Sequence, residues 1–321
     1  MSDEPPGTVV ISLDAELAWG FHDQFPLAER ERRQVSNART SWRRLVELFD
    51  EYRVPATWAV VGELLMDDER IRKTHPLGEQ WFATYYDDVI QRPNEWFATD
   101  LVESIVASDA DHEVASHSFS HVVLSDVPPE VAEAEFRFSR MAGEQYDLDF
   151  RSFVFPRNEI DHRRELAESG FVCYRGRRPH TYPSIPKSRG IGALIGSLTG
   201  KVSPPVVSPR IDEYGLVELP ASLFIGGYRG QPWSHIATLT EDPAVRLTRT
   251  GLERVRRTGG LFHLWLHPND LTDRASMQRM EAILSMLADW RARDELTIET
   301  MGTVAQRVLS DSDRPQPQVT R

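Results

Sequence analysis

Val9-Val10-Ile11-Ser12-Leu13-Asp14-Ala15-Glu16 is the stretch on which the reading of this chain turns. Four of its first five residues are apolar, three of them β-branched, as in a strand buried on both faces. It then ends in two carboxylates two residues apart. On an extended backbone residues i and i+2 point the same way, so Asp14 and Glu16 can face one site. The carboxyl ends of parallel strands are where α/β folds gather their active sites. Alone the pair is a weak signal, because an acid after a strand can equally cap the next helix.

A second segment strengthens it. His117-Ser118-Phe119-Ser120-His121 follows the apolar run Val114-Ala115 and presents two imidazoles at i, i+4. Helical or turn geometry converges such a pair on one point, and the serines between them leave room for a ligand. One carboxylate with two histidines is a facial ligand set for a divalent ion, with positions left open for water and substrate. The remaining carboxylate is then a candidate general base. The chain reads as a metal-dependent hydrolase.

Two further strand ends supply candidates. Leu261-Phe262-His263-Leu264-Trp265-Leu266-His267-Pro268 puts His263, Trp265 and His267 on one face. At the strand end His267 is suited to general-acid work, whereas His263, deeper in, reads as a hydrogen-bonded core residue. Phe155-Pro156-Arg157-Asn158-Glu159 closes another apolar run with an arginine, expected to pair with Asp14 and keep it ionised.

The chain is long enough, at 321 residues, for a full α/β core, and 40% hydrophobic with 27% charged residues describes a globular protein. A net charge of −12 argues against a nucleic-acid partner. The single cysteine, Cys173, rules out an intrachain disulfide. No run approaches the length of a membrane helix and the acidic start lacks a leader pattern, so a cytoplasmic location without membrane insertion is expected. Assembly into a homo-oligomer stays open.

Strand patterns at 8–13, 56–61, 113–116, 152–155, 171–174, 216–219, 261–266 and 296–299 alternate with helical patterns such as 41–52, 129–146, 242–257 and 273–293. That alternation predicts parallel strands in a barrel or a doubly wound sheet. One catalytic domain over 8–309 is expected, with disordered ends at 1–7 and 310–321. Two insertions break the rhythm, an aromatic one near 78–97 and a Pro/Gly/Ser-rich one near 178–209 with an apolar piece at 191–198.

Taken together, these motifs resemble the polysaccharide deacetylase family of the NodB-homology type, carbohydrate esterase family four. Ala56-Thr57-Trp58-Ala59-Val60-Val61-Gly62 is similar to the family's second strand, His117-x-x-x-His121 to its metal motif, and Leu264-x-x-His267 to its last motif. The resemblance implies an incomplete (β/α)7 barrel. It also implies Asp14 as base, Glu16, His117 and His121 as metal ligands, and His267 as acid. The ion expected is zinc, with cobalt, manganese or nickel as alternatives, and the substrate an N-acetylated sugar or glycan precursor. The third motif departs, since the family's arginine precedes the proline where this chain has Val154 and places Arg157 after it. Trp19, Phe155, Pro156, Asn158 and Trp265 flank these groups and are the expected substrate contacts. The rival readings are a metal-free allantoinase-like amidase and an inactive carbohydrate-binding homologue.

Overall fold

The computed structural model describes residues 7–66, 69–179, 203–226, 241–271 and 273–312. The apolar piece at 191–198, most of the second insertion and the extreme ends lie outside them. The described strands are β1 (Gly7–Ala15), β2 (Thr57–Val60), β3 (Glu113–Ser116), β4 (Ser152–Phe153), β5 (Cys173–Gly176), β6 (Arg210–Ile211), β7 (Val217–Pro220), β8 (Leu223–Phe224), β9 (Leu261–Leu266) and β10 (Leu296–Ile298). They form one sheet in the order β6-β7-β5-β4-β3-β2-β1-β9-β8, with β10 also on β1. Every pairing between these strands is parallel except β6 with β7. The result is a curled, incompletely closed β/α barrel.

β1 is the axis of this sheet. β9 runs along one edge of it, Thr8 opposite Leu261 through Leu13 opposite Leu266. The other edge is shared, β10 pairing residues 7–9 and β2 pairing residues 12–15. With both edges taken and all nine residues buried, β1 fixes the barrel's centre and delivers Asp14 to its carboxyl end. The strand opens at Gly7, inside the stretch expected to be disordered. A Cβ at that position would lie 2.4 Å from the Val255 carbonyl oxygen, so glycine lets the backbones approach.

Helices α1 (Glu29–Tyr52), α2 (Glu69–Thr74), α3 (Glu79–Ala83), α4 (Tyr86–Gln91), α5 (Pro93–Trp96), α6 (Thr99–Val106), α7 (Pro129–Glu144) and α8 (Arg163–Glu168) cross between strands. Later helices span Pro243–Thr258, Arg274–Arg291 and Met301–Ser312. The last takes in residues 310–312, which were expected to be disordered. Asp242 caps the first of these, accepting from the N–H groups of Ala244 and Val245, and Asp273 forms a capping box with Ser276 on the second. Among the described residues no helix is long and apolar enough to cross a membrane.

The insertion at 78–97 folds as α3, α4 and α5 and packs its rings against the short 3-10 turn Leu17–Gln24 that follows β1. Trp19 meets Trp96 and Tyr85 edge-on at 4.8 and 5.8 Å, and Phe25 meets Tyr85 at 5.3 Å. These aromatics form one wall beside the carboxyl ends of the strands.

Candidate active site

Asp14 is the penultimate residue of β1 and Glu16 the first beyond it, and both are buried. Glu16 turns the chain into the 3-10 segment, where Gly20 leaves space for its side chain. A Cβ on Gly20 would stand 2.2 Å from the Glu16 carboxyl carbon.

The two histidines come from a loop after β3, not from a helix. His117 N–H donates to Val60 O at 2.8 Å, so the loop leaves the sheet by extending the β2 ladder. Ser118 and His121 then adopt positive φ, 63° and 65°, which is uncommon for residues other than glycine. Glu135 on α7 holds them there. Its Oε2 accepts the N–H groups of Phe119 and Ser120, each at 2.8 Å, and its Oε1 accepts the Ser120 hydroxyl. Burial raises the Glu135 carboxyl, but His75, 3.2 Å away, and the Ser120 donors outweigh it and hold it ionised. The loop therefore keeps its shape from a buried carboxylate beneath it.

The outcome is convergence. Glu16 Oε2 lies 3.1 Å from His121 Nε2 and 3.6 Å from His117 Nε2. Burial opposes charge on Glu16, yet His267, His117 and His121 together keep its pKa well below the ordinary value. His121 is pushed down to about 4 by burial, with His117 and His22 adding to the effect and Glu16 opposing it. It is therefore neutral at pH 7 and carries a free lone pair.

These residues fit a divalent ion. Glu16, His117 and His121 each offer one ligand atom, and the three atoms lie within 4.8 Å of one another. Two ligands ~2.0–2.2 Å from one ion at a tetrahedral angle stand ~3.4 Å apart. That separation falls between the two Glu16–histidine distances. His117 Nδ1–H donates to Val154 O at 2.7 Å, which turns Nε2 toward Glu16. Such a backbone acceptor on the far nitrogen is how ligating histidines are oriented. Nδ1 of His121 is buried without a hydrogen-bond partner among the described residues.

Asp14 is held by an arginine, but not by the one expected. Arg175, at the third position of β5, donates Nη1–H to Asp14 Oδ1 at 2.5 Å and Nη2–H to Oδ2 at 2.7 Å. The same guanidinium donates to Ser12 Oγ at 3.1 Å and to Asn158 Oδ1 at 2.9 Å. Burial alone would raise the Asp14 carboxyl. Arg175 with His117 and His267 overcomes it, and the group stays ionised below its usual range. Arg157 instead turns outward, donating to Gly20 O at 2.9 Å and to Asp23 at 2.6 Å. Its positive φ of 57° after Pro156 rotates the side chain away from β1.

His267 completes the constellation. Its Nε2 stands 3.6 Å from Asp14 Oδ2, and its Nδ1–H donates to Asp270 at 2.9 Å. Burial would lower this imidazole, but Asp270, Glu16 and Asp14 raise it to about 9, so it carries its proton at neutral pH. His263 is the core residue its position suggested. Burial and Arg175 press it to about 3, with its ring between Ser12 Oγ at 2.9 Å and Leu219 O at 3.3 Å.

The expected substrate contacts separate into different roles. Half-buried Trp265 packs at a tilt against Phe224, ring centres 4.3 Å apart, and lies beneath the Arg175 guanidinium, 4.4 Å from its ring centre. Asn158 orients Arg175. Phe155 and Pro156 are buried, Phe155 packed between Phe153 and Tyr174, so they present no surface to a ligand. Trp19 is buried with its indole N–H donated to Trp96 O at 3.1 Å. Arg175, Asp270 and His22 went unread in the sequence, the last with its ring 5.6 Å from that of His121. Only Arg175 left a trace there, as a charged residue beside an apolar run.

Comparison with known proteins follows the same lines. Residues 27–170 match the family model for polysaccharide deacetylase, a span that holds the His117–His121 loop and leaves out Asp14, Glu16 and His267. No curated protein matches the chain. A structure classed as a polysaccharide deacetylase from Mycobacterium smegmatis is similar with a TM-score of 0.62 at 18% identity, covering 100% of this chain and 96% of its own. A second so classed, from Pseudomonas aeruginosa PAO1, gives 0.61 at 12% identity over 97% and 92%. The Puue allantoinase gives 0.61 at 11% identity over 99% and 94%. At such identities the solved structures speak for the shared fold. The family model falls on the loop that brings both histidines to Glu16, so residues 27–170, somewhat less than half of the chain, are similar to the polysaccharide deacetylase family.

Proposed function

We propose that the protein is a metal-dependent hydrolase that removes acetyl groups, N-acetyl before O-acetyl, from a carbohydrate or glycan precursor. The observation that carries this reading is the meeting of Glu16, His117 and His121 beside an ionised Asp14 and a protonated His267. Glu16, His117 and His121 would hold the ion, zinc before cobalt, manganese or nickel. When bound, a divalent ion supplies Lewis acidity, lowering the pKa of water and polarising a carbonyl.

The chain's own residues supply the proton transfers. Asp14 accepts a proton from water as its oxygen adds to the carbonyl carbon, and Arg175 keeps that carboxylate charged and aimed. His267 delivers its Nε2 proton to the departing nitrogen, and Asp270, bonded to Nδ1, holds the ring in the orientation that can do so. The C–N bond breaks with the electron pair leaving on nitrogen, and the products are acetate and a free amine.

A metal-free amidase acting on other non-peptide C–N bonds is the second reading, supported by likeness to the allantoinase fold. Elemental analysis of the purified protein, with acetate release measured over N-acetylated sugars, tests the proposal. About one ion per chain and acetate release that stops on chelation support it. Hydrolysis of cyclic or linear amides by ion-free protein points to the second reading.

A further inference from the structure

A cavity of about 270 Å³ opens between the turn after β1 and the helices of the 78–97 insertion. Trp19, Phe82, Tyr85, Tyr86 and Val89 form most of its lining, while Arg72, Lys73 and Glu79 supply the polar groups. It adjoins the candidate active site. Trp19 lies three residues beyond Glu16, its N–H donating to Glu16 O at 3.0 Å. Tyr85 stands one ring away from His121, with His22 between them at 6.2 and 5.6 Å.

The walls decide what suits this space. A sugar ring carries hydroxyls on nearly every carbon, and each one buried without a partner costs about 1–3 kcal/mol. Of the polar groups here, Arg72 is already paired with Glu63 at 2.9 Å, and Lys73 and Glu79 are exposed. The Trp19 indole N–H, which could have served one, is already donated to Trp96 O. Burial raises the Tyr85 phenol to about 12, so it stays neutral and adds no charge to the wall. A hydrocarbon group pays no such penalty, and a cavity of about 150 Å³ is already enough to take benzene. From the exposed Tyr86 on the cavity wall, the exposed Ile90 continues the apolar surface along α4.

We propose that this cavity receives an apolar group of the substrate, an alkyl chain or aryl ring carried as the aglycone on the carbon next to the one that bears the acetamido group. The proposal rests on the reading of Glu16, His117 and His121 as the reacting centre, and it narrows the substrate to an amphiphilic glycoside rather than a bare polysaccharide.

The test compares methyl and hexyl glycosides of N-acetylglucosamine with the full-length, metal-loaded protein. The hexyl glycoside should show kcat/KM at least roughly tenfold higher, mainly through KM, as burial of several methylenes predicts. V89R should bring the ratio close to one. Y86S, at a side chain already half exposed, should lower it without risk to folding. V106R on the exposed face of α6 should leave the ratio unchanged. Equal kcat/KM for the two glycosides in the wild type would overturn the proposal. If neither glycoside is cut, the deacetylase reading fails separately, and binding of octyl glucoside, followed by tryptophan fluorescence, judges the cavity. Saturable binding that V89R and Y86S weaken sustains the apolar site, and absence of binding overturns it.

Discussion

Arg175 grips Asp14 through both carboxylate oxygens from four strands away, across β2, β3 and β4. The pair is buried, so removing one partner leaves the other charge without compensation, at a cost of about 3–5 kcal/mol. R175A should lower kcat/KM by ~100-fold or more, since misplacement of a base by about 1 Å has that effect. It should also lower the melting temperature. R157A, which frees only the outward contacts to Gly20 and Asp23, should change both far less. Steady-state kinetics and thermal melts of the two variants side by side check this.

Ion binding should depend on a glycine that ligates nothing. In G20A the new methyl would claim space held by the Glu16 carboxyl group. Glu16 must then rotate away from His117 and His121. Metal affinity should fall by about 10–100-fold, the range seen when ligand orientation is disturbed. Competition with a chromogenic chelator measures it. E16Q and H117A should lose the ion outright, and acetate release with it.

The pH profile follows from two groups. In the proposed reaction Asp14 works as the ionised form, and it is held below its usual range, so it sets a limb only at acidic pH. As the proposed acid, His267 would work in the protonated form, so activity should fall as pH rises through about 9. In D270N the largest influence raising that imidazole is gone. The alkaline limb should then move toward the ordinary histidine value of 6.5, with a smaller change at the pH optimum. Profiles of kcat/KM for wild type and D270N decide this.

Acid should destabilise the fold through histidines outside the chemistry. His112 is pressed by burial to about 4, and its Nδ1 must stay unprotonated to accept the Ala56 N–H at 3.1 Å. His263 is lower still, at about 3. The unfolded chain takes up these protons near 6.5 and the folded chain only far below, so stability declines as pH falls through that window. H112N, which keeps an acceptor without an imidazole, should flatten the decline between about 6.5 and 4. Urea unfolding at several pH values measures it.

The strands flanking the site were legible because each is mostly buried and carries short apolar pieces, Val114-Ala115 in one and Leu261-Phe262 and Leu264-Trp265-Leu266 in the other. Residues 113–116 and 261–266 are read to the residue. The convergence of Glu16 with His117 and His121 was legible as chemistry, from residue type and spacing. Arg175 was not, because its partner is 161 positions away and the only link is strand order. The expected strand also stopped at Tyr174, one residue short of it. The first twelve residues of α1 were missed for a different reason, since Glu29–Thr40 buries only Val35 and Ala38 and shows almost no apolar periodicity. Arg157 was misassigned because chain proximity to Pro156 says nothing about the sign of φ.

Glu135 gives the histidine loop a further property. Because Phe119 and Ser120 are pinned by an internal anion in α7, the segment is already rigid before any cation arrives. Loading then requires little loss of backbone freedom, unlike small domains that fold around their metal. The amide protons of residues 119 and 120 should therefore exchange as slowly in chelator-stripped protein as in the loaded form, and the empty scaffold should stand ready to capture its ion.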